Sequence, residues 1–173
     1  MIKFFLVGVE HYDDIANKLS LLNDNLNICK KFSTNNSDES LNNSYMYLDT
    51  KEVFMAYKNN AILYMNNDSN FIDGVLIDDL YNSDILTLTI SEFNAISNKI
   101  FNELDILIIF IDNAGNAMNK EISLSDYNYF SERCEEKNML YFLNESNEII
   151  INTVLSYYLG SEDTRKELLE KFN

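Results

Sequence analysis

Ile106-Leu-Ile-Ile-Phe-Ile111 is an unbroken apolar run held between Asp105 and Asp112, and Ile2 to Val9 is a second, interrupted only by Lys3 and Gly8. A strand with one wet face alternates apolar and polar residues, whereas a strand apolar throughout must be covered on both faces. Two such strands need helices on either side of one sheet. The chain supplies them in alternation: Ile15, Leu19, Leu22 and Leu26 recur at helical spacing, and Ser91 opens a stretch with Phe93, Ile96, Ile100 and Leu104 on one face. Further strands are expected at Tyr45–Leu48, Ala61–Met65, Phe71–Ile77, Ile85–Ile90 and Met139–Leu143. Further helices are expected at Asp49–Tyr57, where Asp49 and Glu52 form a capping-box pattern, at Ser125–Lys137, at Asn147–Leu159 with Gly160 as its C′ residue, and at Ser161–Phe172.

Strands alternating with helices give an α/β fold around a parallel sheet with right-handed crossovers. Residues 45–77 are strand-rich and read as a small, antiparallel insertion between two βα units. The 173 residues show no internal repeat or linker, so the expectation is one domain over 1–173, with the helix at 161–172 as an addition.

Charge removes whole classes of function. Against 28 Asp and Glu stand 13 Lys and Arg, a formal net charge of −15, and only Arg133 and Arg165 carry guanidinium groups. Such a surface repels DNA, RNA and anionic membranes. The first residues lack the charged lead-in and small-residue cleavage site of a secretory signal, and no run approaches the roughly 20 apolar residues of a membrane helix. Cys29 and Cys134 alone build neither a disulfide framework nor a zinc site, so both are expected buried in a reducing, cytoplasmic setting. No cofactor or metal is expected. The Asp13/Asp14 and Asp78/Asp79 pairs read as helix caps and solvated faces, since adjacent residues on one element seldom converge on one ion.

The order of elements resembles the P-loop nucleoside-monophosphate kinases, guanylate kinase most of all, across about residues 2–159. Phe5-Leu-Val-Gly-Val-Glu-His-Tyr-Asp-Asp-Ile15 looks like that family's first strand, phosphate loop and helix start. Cys29-Lys-Lys-Phe-Ser-Thr-Asn35 sits where the family has a Thr-Thr-Arg-Pro segment, and Tyr45-Met-Tyr-Leu-Asp49 resembles its base-binding strand. Lys58 to Asp79 looks like its hairpin, and Ser83–Ile90 and Leu104–Asp112 like its later core strands. The resemblance therefore implies a P-loop-kinase-like parallel core.

The residues of that family's chemistry are replaced. A phosphate loop G-x-x-x-x-G-K-[ST] needs a second glycine, a lysine and a hydroxyl, and counting from Gly8 these positions hold Asp13, Asp14 and Ile15. Two carboxylates at a helix N-terminus suit the macrodipole but repel a triphosphate. The acceptor-phosphate arginine of the family falls at Asn35 and its strand-end Asp near Thr89.

The candidate site residues follow from this. Gly8, His11, Asp13 and Asp14 form the degenerate phosphate loop, and His11 reads as a loop residue because no Ser, Cys or carboxylate accompanies it at a diagnostic spacing. The resemblance puts Tyr45 and Tyr47 beside a nucleotide base, while their alternation alone suits a half-buried strand. Lys30, Lys31 and Arg133 are the cations available to a phosphate. Tyr157, Tyr158, Leu168, Leu169 and Phe172 are either core or a face for a protein partner.

The sequence thus points to a catalytically inactive nucleotide-kinase-like domain, a pseudoenzyme serving as a protein-binding or structural module. Its acidic surface suits a basic protein partner. Its Asn-rich, AT-rich-type composition suits a viral protein in host cytoplasm or a virion. The alternatives are a divergent nucleoside-monophosphate kinase using ATP, and a nucleotide sensor that binds at Tyr45 and Tyr47.

Overall fold

The computed structural model describes residues 2–35, 45–67, 71–100, 103–112, 123–135 and 137–172. Its first apolar run forms β1 (Lys3–Gly8), flanked in parallel by β6 (Ile85–Thr89) and β7 (Ile106–Asp112). The last strand, β8 (Asn138–Leu143), pairs in parallel with β7, giving the order β6-β1-β7-β8. All six β1 residues are buried, and alternation sends their side chains to two opposite faces of the sheet. Phe4 and Leu6 face a layer containing Ile15 and Leu19 of α1 (Asp13–Leu22) and Ile150 and Val154 of α6 (Asn147–Leu159). Phe5 and Val7 face Phe93 and Ile96 of α4 (Ile90–Ile100) and Phe130 of α5 (Leu124–Cys134). The apolar strands are therefore covered on both sides. Lys3 is buried too, with its Nζ donating to the carbonyls of Tyr81, at 2.7 Å, and Ser83.

A second sheet has the order β3-β2-β5-β4, from β3 (Tyr45–Tyr47), β2 (Lys31–Ser33), β5 (Ile72–Leu76) and β4 (Ile62–Asn67). It draws in a strand that precedes residue 45, and β2 runs parallel to β3 while β2–β5 and β4–β5 are antiparallel. The insertion is thus larger than 45–77 and mixed in direction. Phe32 pairs with Gly74, whose missing side chain leaves room for the phenyl ring: a Cβ there would lie 2.7 Å from Phe32 Cζ. On that face Phe32 and Ile62 pack with Val53 of α2 (Thr50–Lys58), whose Asp49–Glu52 capping box forms in full. The opposite face, carrying Lys31, Tyr45 and Val75, turns toward the parallel sheet.

Several local expectations shift. α3 (Ile77–Asn82) stands where only a strand end was expected; its six residues are too few for periodicity to show. Helix α4 begins at Ile90, and its start is capped by Thr89, whose hydroxyl and N–H exchange hydrogen bonds with Glu92, not by Ser91. Gly160 follows α6 in extended backbone at φ −76°, so it does not serve as a left-handed C′ residue. It permits close approach instead, since a Cβ there would lie 2.8 Å from Thr164 Cγ2. The final helix, α7 (Glu162–Phe172), folds back on its own sheet. Phe172 packs on Phe142 with ring centroids 5.0 Å apart, and Arg165 donates to the carbonyls of Tyr157 and Tyr158 at 2.9 and 3.1 Å.

Candidate functional site

In open α/β sheets ligands bind outside the carboxyl ends of the strands, where loops lead to helix N-termini. Here β1 ends at Gly8 and residues 9–12 lead to α1, the length of loop that wraps a phosphate. Tyr12, the last residue of that loop, packs in the core on the α1–α6 side of the sheet. Tyr12 is 8% exposed, and its ring lies so close over Gly8 that a Cβ on the glycine would overlap it. Its hydroxyl donates to the Ile111 carbonyl at 3.2 Å, on the neighbouring strand. Burial, reinforced by Glu10 and Asp112, pushes the phenol up to about 12, so it stays neutral at any physiological pH.

Beside it a buried polar network joins the two sheets. Lys31, wholly buried on β2, donates to the Thr87 carbonyl at 3.2 Å and its hydroxyl at 3.4 Å. That hydroxyl donates to Asp13 Oδ1 at 2.5 Å, tying in the first turn of α1. The Lys31 ammonium also sits over the Tyr45 ring, 4.6 Å from its centroid. Burial lowers the lysine pKa, while Glu92, Asp13 and Asp73 act in the opposite sense. His11 donates Nε2–H to Glu92 Oε2 at 2.6 Å, and the same oxygen accepts the Thr89 N–H at 2.8 Å. Burial works to raise the Glu92 carboxyl, but His11, Lys31 and the Thr89 N–H outweigh it and hold it below the usual range. The Tyr45 phenol is pushed upward by burial and by the surrounding carboxylates.

The sequence candidates separate in space. Gly8, His11, Asp13, Tyr45 and Lys31 converge on this cluster. Asp14, in the position of a phosphate-loop lysine, is exposed, and Ile15, in the position of the hydroxyl, is buried in the core. Tyr47 lies on the same strand face as Tyr45 but is 43% exposed, and Lys30 points away from Lys31 into solvent. Arg133 does not join the site. It stands in the last turn of α5, hydrogen-bonded to Tyr129 and Asn98, and Asn98 lies about 9 Å along α4 from Glu92. Tyr157 is buried, and Tyr158, Leu168, Leu169 and Phe172 pack against the α1–α6 side of the core, which leaves little of that group facing outward. Cys29 and Cys134 are free, buried thiols pushed up by burial to about 11 and 12.

Tyr12, Thr87 and Glu92 were missed by sequence reasoning. Glu92 had a signal, since Thr89-x-x-Glu92 is a capping-box pattern opening α4. Tyr12 and Thr87 had none, because their importance arises from neighbours distant in the chain.

Two features of this arrangement are unlike a phosphate site. The helix N-terminus presents Asp13 and Asp14, and the buried cation Lys31 is already held by the Thr87 oxygens. Among the described residues no three His, Cys, Asp or Glu side chains are grouped to hold a metal ion. Also among them, no helix is long and apolar enough to cross a membrane.

The backbone is similar to the crystal structure of guanylate kinase from Anaplasma phagocytophilum, with a TM-score of 0.58 over 96% of this chain and 86% of that one. Sequence identity across the match is 17%, so the likeness is one of fold: a guanylate-kinase-like α/β architecture with a P-loop-kinase-type parallel core. No protein-family model matches the chain, and no curated protein matches it in sequence.

Proposed function

We propose that this chain is a guanylate-kinase-like domain that transfers no phosphate and works as a protein-binding or structural module. The observation that carries this reading is the start of α1, where Asp13 and Asp14 stand in the positions that a phosphate loop gives to a glycine and a lysine. Phosphoryl transfer rests on neutralising charge around the moving group with Lys, Arg and metal. Here the corresponding helix start carries two carboxylates, and Lys31 is engaged by Thr87 and Tyr45. The net charge of −15 favours a basic partner surface, with association weakening as salt rises. The composition, with Asn at about one residue in seven and no Pro, supports a viral protein as the setting.

A thermal-shift screen tests this reading with ATP, GTP and the nucleoside and deoxynucleoside monophosphates, with and without Mg²⁺. A ligand at 100 times its Kd stabilises by about 2.7 kcal/mol. For a chain of this size that is a Tm rise of about 5–10 °C. The expected response is flat across the panel. A rise with a triphosphate and a monophosphate together, followed by phosphate transfer between them, would overturn the reading. A rise with one monophosphate alone would point to a nucleotide sensor.

A further inference from the structure

A groove of about 300 Å³ lies well away from the Lys31–Glu92 cluster, between the turn after α2, helix α3 and the last turns of α4. Lys99 and Ile100, which line it, are about 10–12 Å along α4 from Glu92. Leu63, Leu80 and Ile100 form an apolar floor of buried side chains, and Tyr57 and Tyr81 stand at its edges about half exposed. Phe54, one helical turn before Tyr57 on the same side of α2, continues the aromatic strip outside the groove and is also more than half exposed.

The groove is lined by one residue of each charge, Lys99 and Glu103, with Asp78 and Asp79 close by on α3. Glu103 is engaged, its carboxylate accepting the Tyr81 hydroxyl at 2.5 Å. Lys99 has no hydrogen bond or ion pair among the described residues, and Lys58 lies over the Phe54 ring, 4.6 Å from its centroid. A chain of net charge −15 therefore presents two lysines beside its exposed aromatic strip. Exposed apolar surface rimmed by polar groups marks interaction sites, and Tyr is among the residues that contribute most at protein interfaces. A second copy of the chain is a poor occupant, because two bodies of this charge repel. A small ligand would leave Phe54 uncovered.

We propose that this groove docks a segment of a partner protein through an apolar side chain set against Leu80 and Ile100, with an adjacent Asp or Glu pairing with Lys99. The proposal rests on the protein-binding reading above and names the surface for it. The remainder of the partner is neutral or basic, as the surrounding acidic surface requires.

The test uses random 12-residue peptides displayed on phage and selected on the full chain at about 0.15 M salt, where the Debye length is about 8 Å. Enriched peptides are then synthesised and titrated by fluorescence anisotropy, against wild type and against variants shown by melting to be folded. The expected peptides carry an aliphatic or aromatic anchor within two positions of an Asp or Glu. Tyr81→Ala should weaken them at least tenfold, as should Tyr57→Ala. Lys99→Glu should abolish the acidic preference and select Lys or Arg in its place. Peptides bound equally by wild type, Tyr81→Ala and Lys99→Glu would overturn the groove while leaving a protein-binding role elsewhere. Failure to enrich any peptide would overturn it as well. Phosphate transfer in the nucleotide screen would instead remove the reading on which it rests.

Discussion

Lys31 on the second sheet donates to both oxygens of Thr87 on the parallel sheet, so one wholly buried lysine bridges the two layers of strands. Its ammonium is tolerated there because Asp13 is bonded to the same Thr87 hydroxyl, Glu92 and Asp73 are close, and the Tyr45 ring lies beneath it. Removing one member of a buried charge cluster leaves the others uncompensated, at about 3–5 kcal/mol.

Lys31→Met should therefore cost about 3 kcal/mol, lowering the urea midpoint by roughly 1–2 M. Adding Glu92→Gln to that variant should recover part of the loss, because it withdraws one stranded carboxylate. Equal midpoints for wild type and Lys31→Met would show that the lysine contributes nothing to joining the sheets.

Gly8 and Tyr12 form a second coupled pair. Gly8→Ala forces a Cβ into the Tyr12 ring and to 2.8 Å from the Ile111 carbonyl oxygen, an overpacking expected to cost about 2–3 kcal/mol. In a Tyr12→Ala background the ring clash disappears and only the carbonyl contact remains, so the same glycine change should cost clearly less. A double-mutant cycle in urea measures the difference. Strict additivity would mean that the ring does not pack on Gly8 in solution.

Two groups at the site set opposite pH limits. The Glu92 carboxyl is held below its ordinary value in the fold, so the folded chain binds that proton more weakly than the unfolded chain does. The stability it contributes is present above about pH 4.3 and is lost as pH falls through the folded value. Tyr12 acts in the other direction, with a phenol raised to about 12. Its contribution is intact below about pH 10 and is lost as pH rises toward about 12. Tyr12→Phe should lose about 1 kcal/mol at neutral pH and flatten part of the alkaline decline. Urea midpoints between pH 3 and 12 measure both limbs; a parallel alkaline limb in Tyr12→Phe would assign it to other groups.

Gly74→Ala examines the second sheet by itself. A Cβ there collides with the Leu63 carbonyl oxygen and presses on the Phe32 ring, so a loss of about 2–3 kcal/mol is expected. Amide exchange should accelerate first along β2 and β5, ahead of β1 and β7. Uniform acceleration would show that the two sheets unfold as one unit.

Much of this fold was legible because burial on both faces leaves a plain mark on sequence. The runs at β1 and β7 needed no partner to be read as central strands, and Asp49 and Glu52 marked the start of α2. β2 was not legible as a strand because Leu26–Phe32 shows only as an apolar stretch broken by Lys30 and Lys31, and a buried lysine becomes intelligible only once Asp13, Thr87 and Glu92 are seen around it. The site divides in the same way. The altered phosphate loop could be read residue by residue, since Asp13, Asp14 and Ile15 are chemically wrong for a phosphate. That Tyr12 packs on Gly8 could not, because the contact is defined by Gly8 and Ile111 together.

The placement of β1 between β6 and β7 also bears on how the chain is made. Phe4, Phe5, Leu6 and Val7 leave the ribosome about 80 to 100 residues ahead of their hydrogen-bonding neighbours, Ile85–Thr89 and Ile106–Asp112. At 5–20 residues per second, the strand waits about 5–20 s for its second neighbour. During that interval the nascent chain exposes an apolar strand with two unpaired edges, a ready target for aggregation or chaperone capture. Folding should therefore be slow and late, with the second sheet, whose four strands lie closer together in sequence, able to form first.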